Sequence, residues 1–420
     1  RWIPDIGGLK TMELAKSLAD SLVRYALTIT DERRRKDYLE YSAKWQSRNY
    51  RNTYISDAQS LYPIAMSEFD RNIYYLNCQN GTLDLQTGEF HPHTAQDKLT
   101  KIAGAAYDPN AENPRFTRFV SEVMSGDMEK ARFMQKSLGY GLTGDTRYEC
   151  MFFYYGATTR NGKGTLMEST LHVMGDYGLT VRPETIAAKP SANSQNPTED
   201  IARLAGVRFA NISEPRRGLV LNEAQIKSMT GNDTLNARFL HENSFDFKPQ
   251  FKLYVNTNYL PAITDMTLFS SGRIVIIPFD RHFEEWEQEQ NLKAEFSKPE
   301  AASAILNWLI EGYTLLREEG LVQPKAVKAA TMSYQHDSDK MELFVEEFLE
   351  EENDAECRTS AVYQAYRNWC NDNGYFAENS RNFNQALRTI GSVVRKRPKD
   401  GGEKTTLLTG YRLLCRDFFC

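Results

Sequence analysis

A glycine-rich stretch between residues 155 and 165 carries the clearest chemistry in this sequence. It reads Tyr-Gly-Ala-Thr-Thr-Arg-Asn-Gly-Lys-Gly-Thr, follows the apolar run 151–154 and precedes apolar residues at helical spacing. In a strand, glycine-rich turn and helix of this kind, backbone amides and the helix dipole hold phosphate oxygens, and Lys163 adds a point charge. The stretch therefore predicts a phosphate-binding loop. The alternative is an ordinary glycine-containing turn.

The spacing of this stretch departs from the usual phosphate loop in two places. Five residues rather than four separate Gly156 from Gly162. Gly164 stands where a Ser or Thr usually reaches Mg²⁺, so the candidate ligand is Thr165, one place later. The residues expected to contact a nucleotide are Gly156, Thr159, Arg160, Asn161, Gly162, Lys163, Gly164 and Thr165.

Three polar residues beside later apolar runs could complete a phosphoryl-transfer site. Glu214 follows a strand-like segment and could hold Mg²⁺ or orient a water. Asn258, with Asn256 as the alternative, could hydrogen-bond that water or the γ-phosphate. Arg273 could stabilise charge on phosphates bound by a neighbouring subunit, as an arginine finger does. The competing interpretations are a surface carboxylate, a turn-forming amide and a solvated guanidinium.

Two basic regions are candidates for DNA contact. The alternation of aromatic residues in 237–251 predicts a hairpin with His241 and Lys248 near its tip. A basic helix over 380–390 and a basic strand end near 395 would provide phosphate contacts that weaken with salt. A purely structural hairpin and a basic surface for protein binding are the alternatives. The candidate DNA contacts are His241, Lys248, Arg381, Arg388, Arg395, Lys396 and Arg397.

The elements that position these residues follow from the apolar pattern. Strand-like runs alternate with helical stretches from 150 to 280, which predicts a parallel sheet with helices on its faces. The runs are 151–155, 207–212, 252–255 and 274–279. Upstream, the pattern predicts an amphipathic helix near the start, a hairpin over 81–90, and helices from 116 and from 127, the second closed by Gly139.

Downstream, the spacing predicts a helix over 301–318 and a helix over 334–351 whose acidic end is solvated. Helices over 359–372 and 380–390 and two strands within 393–414 follow. Helices and a hairpin in this order suggest a winged-helix domain.

Composition limits the class of protein. The chain has 420 residues, 41% of them hydrophobic and 25% charged, and a net charge of −5. These values are typical of a globular protein and exclude a generally basic nucleic-acid coat. The sequence contains no run of membrane-spanning length. It begins with Arg1 rather than Met, so we expect a piece or processed form of something longer. Six cysteines without a C-x-x-C pair predict free thiols in a reducing cytosol: Cys78, Cys150, Cys357, Cys370, Cys415 and Cys420.

Taken in order, these motifs resemble the superfamily 3 helicase module of phage, plasmid and genomic-island primase–helicases, which is related to the poxvirus helicase–primase. The resemblance covers nearly the whole chain. The matching segments are 114–116, 138–145, 160–165, 200–206, 213–214, 221–227, 230–234, 247–252, 257–258, Arg273 and 277–279.

This resemblance implies an α/β fold with an AAA+-like P-loop ATPase core that works as a ring, usually a hexamer, in the host cytoplasm. The implied substrate is ATP and the implied cofactor is Mg²⁺. Lys163 would bind phosphate, Glu214 would handle Mg²⁺ and water, Asn258 would be a sensor, and Arg273 would act in trans. A hairpin around 239–252 would face DNA in the channel, and a primase domain would lie upstream. The expected domains are 1–110 (mixed, collar-like), 111–145 (helical linker), 146–325 (ATPase) and 326–420 (winged helix).

Two other functions fit parts of the pattern. The ending Gly-Lys-Gly-Thr also occurs in small-molecule phosphotransferases, which would ignore DNA. An initiator that binds origin DNA and uses ATP only for assembly would bind a forked duplex without separating it.

Overall fold

The computed structural model describes residues 1–414 except 62, 189–197, 374, 376 and 400. Cys415 and Cys420 therefore lie outside the described residues, whereas Cys78, Cys150, Cys357 and Cys370 are free thiols. No helix within the described ranges combines the length and apolar character needed to cross a bilayer.

The N-terminal region combines helices with a small antiparallel sheet. The helices are α1 (Leu9–Thr28), α2 (Glu32–Trp45) and α3 (Arg48–Ala58). The strands are β1 (Tyr75–Cys78), β2 (Gly81–Asp84) and β3 (Phe90–His91), in the order β1-β2-β3. The predicted early helix and the 81–90 hairpin are thus confirmed. The predicted apolar face of α1 is not buried, because Leu9 and Leu14 are exposed while Ala19 and Ala26 are enclosed.

The central region alternates strands and helices. Its strands are β4 (Met151–Tyr155), β5 (Gly178–Val181), β6 (Phe209–Ser213), β7 (Leu235–Ala237), β8 (Phe245–Phe247), β9 (Lys252–Thr257) and β10 (Ile274–Pro278). Its helices are α4 (Pro114–Val123), α5 (Met128–Tyr140), α6 (Lys163–Met174), α7 (Glu199–Ala202), α8 (Glu223–Thr230), α9 (Thr267–Ser270), α10 (Leu292–Phe296), α11 (Pro299–Glu319) and α12 (Lys325–Ser338).

Among the described residues, five of these strands form a parallel sheet in the order β10-β4-β9-β6-β5. Side chains alternate between its faces, so Phe152 and Tyr154 enter one apolar cluster while Met151 and Phe153 enter another. Burial on both faces explains why the strands appear in the sequence as continuous apolar runs. The predicted parallel sheet is confirmed.

The first of these clusters also joins the N-terminal sheet and the helices α4 and α5 to the central sheet. The buried Arg208 supports this junction by donating to the carbonyl oxygens of Leu142 (2.7 Å) and Tyr75 (2.9 Å). The domain boundaries expected near 110 and 145 stay predictions.

Helix α5 packs lengthwise against α11, and a glycine on each helix permits the close approach. A Cβ added to Gly139 would lie 2.4 Å from the Tyr313 nitrogen and 2.5 Å from the Leu309 oxygen. The prediction that Gly139 closes the helix is therefore wrong, since α5 continues to Tyr140. Gly139 is required for packing rather than for termination. The helix predicted over 301–318 is confirmed as α11, which ends at Glu319 and is followed by Gly320 with a φ of 68°.

The C-terminal region has its own apolar cluster. In chain order it contains α13 (Lys340–Phe348), β11 (Leu349–Arg358), α14 (Thr359–Asp372), α15 (Ser380–Ile390), β12 (Ser392–Lys396) and β13 (Thr405–Leu413). The strands form an antiparallel sheet in the order β11-β13-β12. Helices α14 and α15 and the last two strands confirm the corresponding predictions.

The helix predicted over 334–351 is wrong in two respects. Helix α12 ends before Asp339, whose carboxylate caps α13 by accepting hydrogen bonds from the Met341 and Glu342 amides. The acidic residues Glu350–Glu352 lie in β11 rather than at a helix end, where Arg412 of β13 pairs with the carboxylates of Glu350 and Glu352. Because β11 is an edge strand rich in charged residues, its sequence resembles that of a solvated helix end.

Candidate nucleotide site

The glycine-rich loop (residues 156–162) connects β4 to α6 at the carboxyl edge of the parallel sheet. Gly162 has a φ of 82°, and a Cβ there would lie 2.3 Å from Val123 Cγ1, so both backbone and packing demand glycine. Gly156 is equally confined, since a Cβ added there would lie 2.3 Å from the side-chain nitrogen Nδ2 of Asn161. Arg160 also has a positive φ, 56°, which is uncommon for a residue with a side chain.

The loop is held by hydrogen bonds from within and from the segment that follows β10. The buried Asn161 side chain donates to the Thr158 carbonyl at 2.6 Å. The Phe283 amide donates to the Arg160 carbonyl at 2.8 Å, and His282 Nδ1 donates to the Thr159 carbonyl at 2.8 Å. Thr159 itself is exposed. A loop fixed in this way presents the first-turn amides of α6, which have no partners within the helix, toward the same edge.

Lys163 begins α6 and turns toward the ends of the neighbouring strands. Its ammonium group donates to Asn258 Oδ1 at 2.9 Å and to the Gly156 carbonyl at 3.4 Å. Burial lowers the pKa of Lys163 to about 8, and the nearby Glu214 carboxylate opposes that shift. A buried cation with a lowered pKa in this position is suited to receive an anion.

Glu214 and Asn258 follow β6 and β9 at this same edge. Glu214 is exposed, has a φ of 53°, and is anchored by its amide, which donates to the Asn256 carbonyl at 2.9 Å. Asn258, the preferred of the two candidate amides, is the one whose side chain contacts Lys163. The structure therefore brings Lys163, Glu214 and Asn258 together, at the edge where open α/β sheets bind ligands. Their catalytic roles stay predictions.

The oxygen donors here suit a magnesium ion. Thr165 offers a hydroxyl from the first turn of α6, and Glu214 offers a carboxylate. Magnesium is commonly held by one or two such ligands together with substrate phosphates and water. A Cβ added to Gly164 would meet no atom within 4 Å, so space remains where a Ser or Thr is usual.

Arg273 is not part of this cluster. It lies before β10, at the amino ends of the parallel strands, whereas the glycine-rich loop lies at their carboxyl ends. The length of a five-residue strand separates these two ends of the sheet by roughly 16 Å. Its guanidinium donates to Glu149 Oε2 at 2.9 Å and to Thr230 Oγ1 at 2.8 Å. The guanidinium is therefore paired rather than solvated. The action in trans expected of it stays a prediction.

The predicted hairpin is confirmed, although one of its candidate residues is misplaced. Strands β7 and β8 pair so that Leu235 opposes Phe247 and Ala237 opposes Phe245. His241 lies in the connecting loop, exposed, with a φ of 64°. Lys248 follows Phe247 and so lies at the base, not near the tip as predicted.

The basic residues of the C-terminal region differ in whether they form ion pairs. Four arginines are exposed and form no ion pair within the described part of the chain: Arg381, Arg388, Arg395 and Arg397. Lys396 is held by Glu356, with its ammonium 2.7 Å from Glu356 Oε2. The contact of Lys396 with DNA stays a prediction, since an exposed ion pair of this kind can exchange its partner.

The sequence did not indicate the cavity beside the glycine-rich loop. Its volume is about 410 Å³, and α12 forms one wall. Spacing along the chain gave no signal for it, because helix α12 and the loop are separated by more than 160 residues. The bracing residue His282 was missed for the same reason.

Two family models match the chain at its ends. The model described as D5 N terminal like matches residues 1–125, and the one described as Poxvirus D5 protein-like matches residues 336–416.

The curated relatives are viral proteins. "Putative helicase 022R" of Frog virus 3 (isolate Goorha) is 30% identical over 287 residues, which are 64% of this chain and 29% of that protein. "Putative helicase L207/L206" of Acanthamoeba polyphaga mimivirus is 25% identical over 331 residues, 74% of this chain and 34% of that protein. The chain thus spans about a third of the length of these relatives.

Among solved structures, the A form apo structure of the NrS-1 C terminal region is similar with a TM-score of 0.50. The match has 10% sequence identity and covers 86% of this chain and 90% of that one. At this identity the similarity concerns the fold alone.

Proposed function

We propose that this chain, which belongs to the poxvirus D5-like primase–helicase family, is the ATP-driven motor of a DNA helicase of superfamily 3. It would serve the replication of a virus or another mobile element. The observation that carries the proposal is the meeting of Lys163, Glu214 and Asn258 beside the glycine-rich loop. Binding of DNA and oligomerisation are consistent with the helicase names of the relatives.

In the proposed reaction, a water molecule attacks the γ-phosphorus of ATP, and the bond from that phosphorus to the oxygen of ADP breaks. Glu214 would accept the proton of the water. Lys163 and the first-turn amides of α6 would bind the phosphate oxygens, and Asn258 would position the water or the γ-phosphate. Magnesium, held through Thr165 and Glu214, would neutralise developing phosphate charge.

The remaining parts of the proposal concern assembly and DNA. The chain would form a ring, expected to be a hexamer, with Arg273 acting on the nucleotide of an adjacent subunit. His241 on the hairpin loop would face DNA in the channel. The C-terminal region, with its helix–strand–helix–helix–strand–strand order, would bind DNA as a winged helix through its exposed arginines.

The test is ATP hydrolysis with and without DNA, together with strand separation on a forked duplex. We expect Lys163→Ala to reduce hydrolysis by at least about 100-fold, because a preorganised charge at the phosphates is lost. The matched control is Lys293→Ala, which removes a lysine that is half-exposed and paired with Glu168 on the surface. Full activity of the Lys163 variant would refute the proposal.

The same assays separate the rivals. A phosphotransferase would show no stimulation by DNA, and an initiator would bind the fork without separating its strands.

A further inference from the structure

The cavity beside the glycine-rich loop is bounded by three parts of the chain. The loop contributes residues 156–158, the edge strand β10 contributes Ile276 and Pro278, and α12 forms the facing wall. At about 410 Å³, the cavity lies within the range of roughly 300–1,000 Å³ that holds small molecules. It is continuous with the loop, so a ligand bound there would also reach the loop.

Helix α12 is fixed where it forms this wall. The Tyr334 hydroxyl donates to the Pro261 carbonyl, and Thr331 Oγ1 accepts the Ile276 amide at 3.0 Å. This second contact satisfies a backbone donor of the edge strand β10. Helix α12 is therefore attached to the packed core, which Tyr334 enters.

One face of α12 combines apolar and polar groups along the cavity. Ala330, Ser333, Tyr334 and Asp337 recur at helical spacing and all line it. Ser333 and Asp337 are exposed, and within the described part of the chain neither side chain has a hydrogen-bond partner. Leu260, Ile276 and Phe279 form an apolar surface opposite α12, and Asp280, which pairs with Lys130, lies at the cavity as well.

We propose that this cavity holds the nucleoside, base and ribose together, of the nucleotide whose phosphates bind the glycine-rich loop. The inference rests on the proposed function and adds the element that recognises the nucleoside. The apolar walls would contact the faces of the base. The Asp337 carboxylate, which only accepts hydrogen bonds when ionised, would accept them from the ribose hydroxyls, with Ser333 beside it.

The experiment compares two ligands that share phosphates and differ in the nucleoside. Equilibrium binding of ATP and of inorganic tripolyphosphate is measured by competition against a fluorescent ATP analogue. We expect Ser333→Trp, which fills the cavity, to weaken the affinity for ATP at least tenfold. The affinity for tripolyphosphate should stay within twofold of the wild-type value. The matched control is Met332→Trp, because Met332 is exposed on α12 and does not line the cavity.

A second variant tests the role of Asp337 without filling the cavity. Wild type should prefer ATP over 2′,3′-dideoxy-ATP, and Asp337→Ala should reduce that preference at least threefold while tripolyphosphate binding is unchanged. Asp337 is exposed, so we expect the variant to fold.

The outcomes distinguish failure of the proposed nucleoside site from failure of the proposed phosphate site. If Ser333→Trp binds ATP as wild type does, or if Asp337→Ala keeps the full preference for ribose hydroxyls, the inference is overturned while the phosphate site stands. If wild type fails to bind tripolyphosphate, or Lys163→Ala binds it equally well, the phosphate site and the proposed function fail together.

Discussion

Lys163 should couple nucleotide binding to proton uptake. In the nucleotide-free protein burial lowers its pKa to about 8, whereas phosphate oxygens favour the ammonium form and raise the pKa in the complex. The nucleotide-free protein therefore holds fewer protons than the complex above about pH 8. ATP affinity should be level below pH 8 and fall by up to about tenfold per pH unit above it.

Calorimetry at pH 8.5 in two buffers of different ionisation enthalpy measures this uptake directly. Lys163→Arg provides the control, because a guanidinium stays charged throughout this range and should remove the pH dependence. Equal binding enthalpies in the two buffers for wild type would contradict the prediction.

At the scale of single residues, the sequence predicted which residues lie close together better than it predicted the partners of each side chain. Lys163, Glu214 and Asn258 were predictable because each follows, or closes, a strongly apolar run whose carboxyl end must lie at one edge of the sheet. The pairing of Arg273 with Glu149 was not, since the two residues are 124 positions apart. The contact of Lys396 with Glu356 depends in the same way on strand pairing that no spacing reveals.

At the scale of elements, the strands that went unpredicted lie at sheet edges. Strands β1, β5 and β11 each end a sheet, and none was anticipated. Interior strands such as β4 and β9 are buried on both faces and therefore appear as apolar runs. These three edge strands are short or charged, as Glu350–Glu352 in β11 illustrate, and were therefore missed, whereas the edge strand β10 is apolar and was predicted.

The contact between α5 and α11 gives a stability prediction. Gly139→Ala should lower the free energy of unfolding by about 1–3 kcal/mol, because the new methyl group meets backbone atoms that no side-chain rotation can move. This cost should exceed the gain of up to about 1 kcal/mol that alanine brings to a helix. Denaturant unfolding measures the difference.

Gly164→Ala is the matched control for that measurement, since it makes the same change in α6 where a Cβ would meet nothing within 4 Å. It should be neutral or stabilising. If Gly139→Ala were as stable as this control, the close approach of the two helices would be wrong.

At the scale of the whole molecule, the position of Arg273 limits how it could act. It lies at the amino ends of the parallel strands, and the glycine-rich loop of the same subunit lies at their carboxyl ends. Within one subunit Arg273 therefore cannot reach the phosphates. If Arg273 acts on a nucleotide, that nucleotide must therefore be bound to an adjacent subunit of an assembly. Its pairing with Glu149 and Thr230 offers the competing explanation that it only stabilises the fold.

Two variants separate these explanations. Glu149→Gln removes the ion pair and keeps the guanidinium, whereas Arg273→Ala removes both. An arginine acting in trans predicts that Arg273→Ala lowers ATP turnover by about 1,000-fold or more while Glu149→Gln stays near wild type. Mixing equal amounts of Arg273→Ala and Lys163→Ala subunits should restore about a quarter of wild-type turnover, because a quarter of the interfaces in a cyclic ring then combine an intact Lys163 with an intact Arg273. Equal loss in both single variants, with no recovery on mixing, would make Arg273 a structural residue and leave the ring without its proposed coupling between subunits.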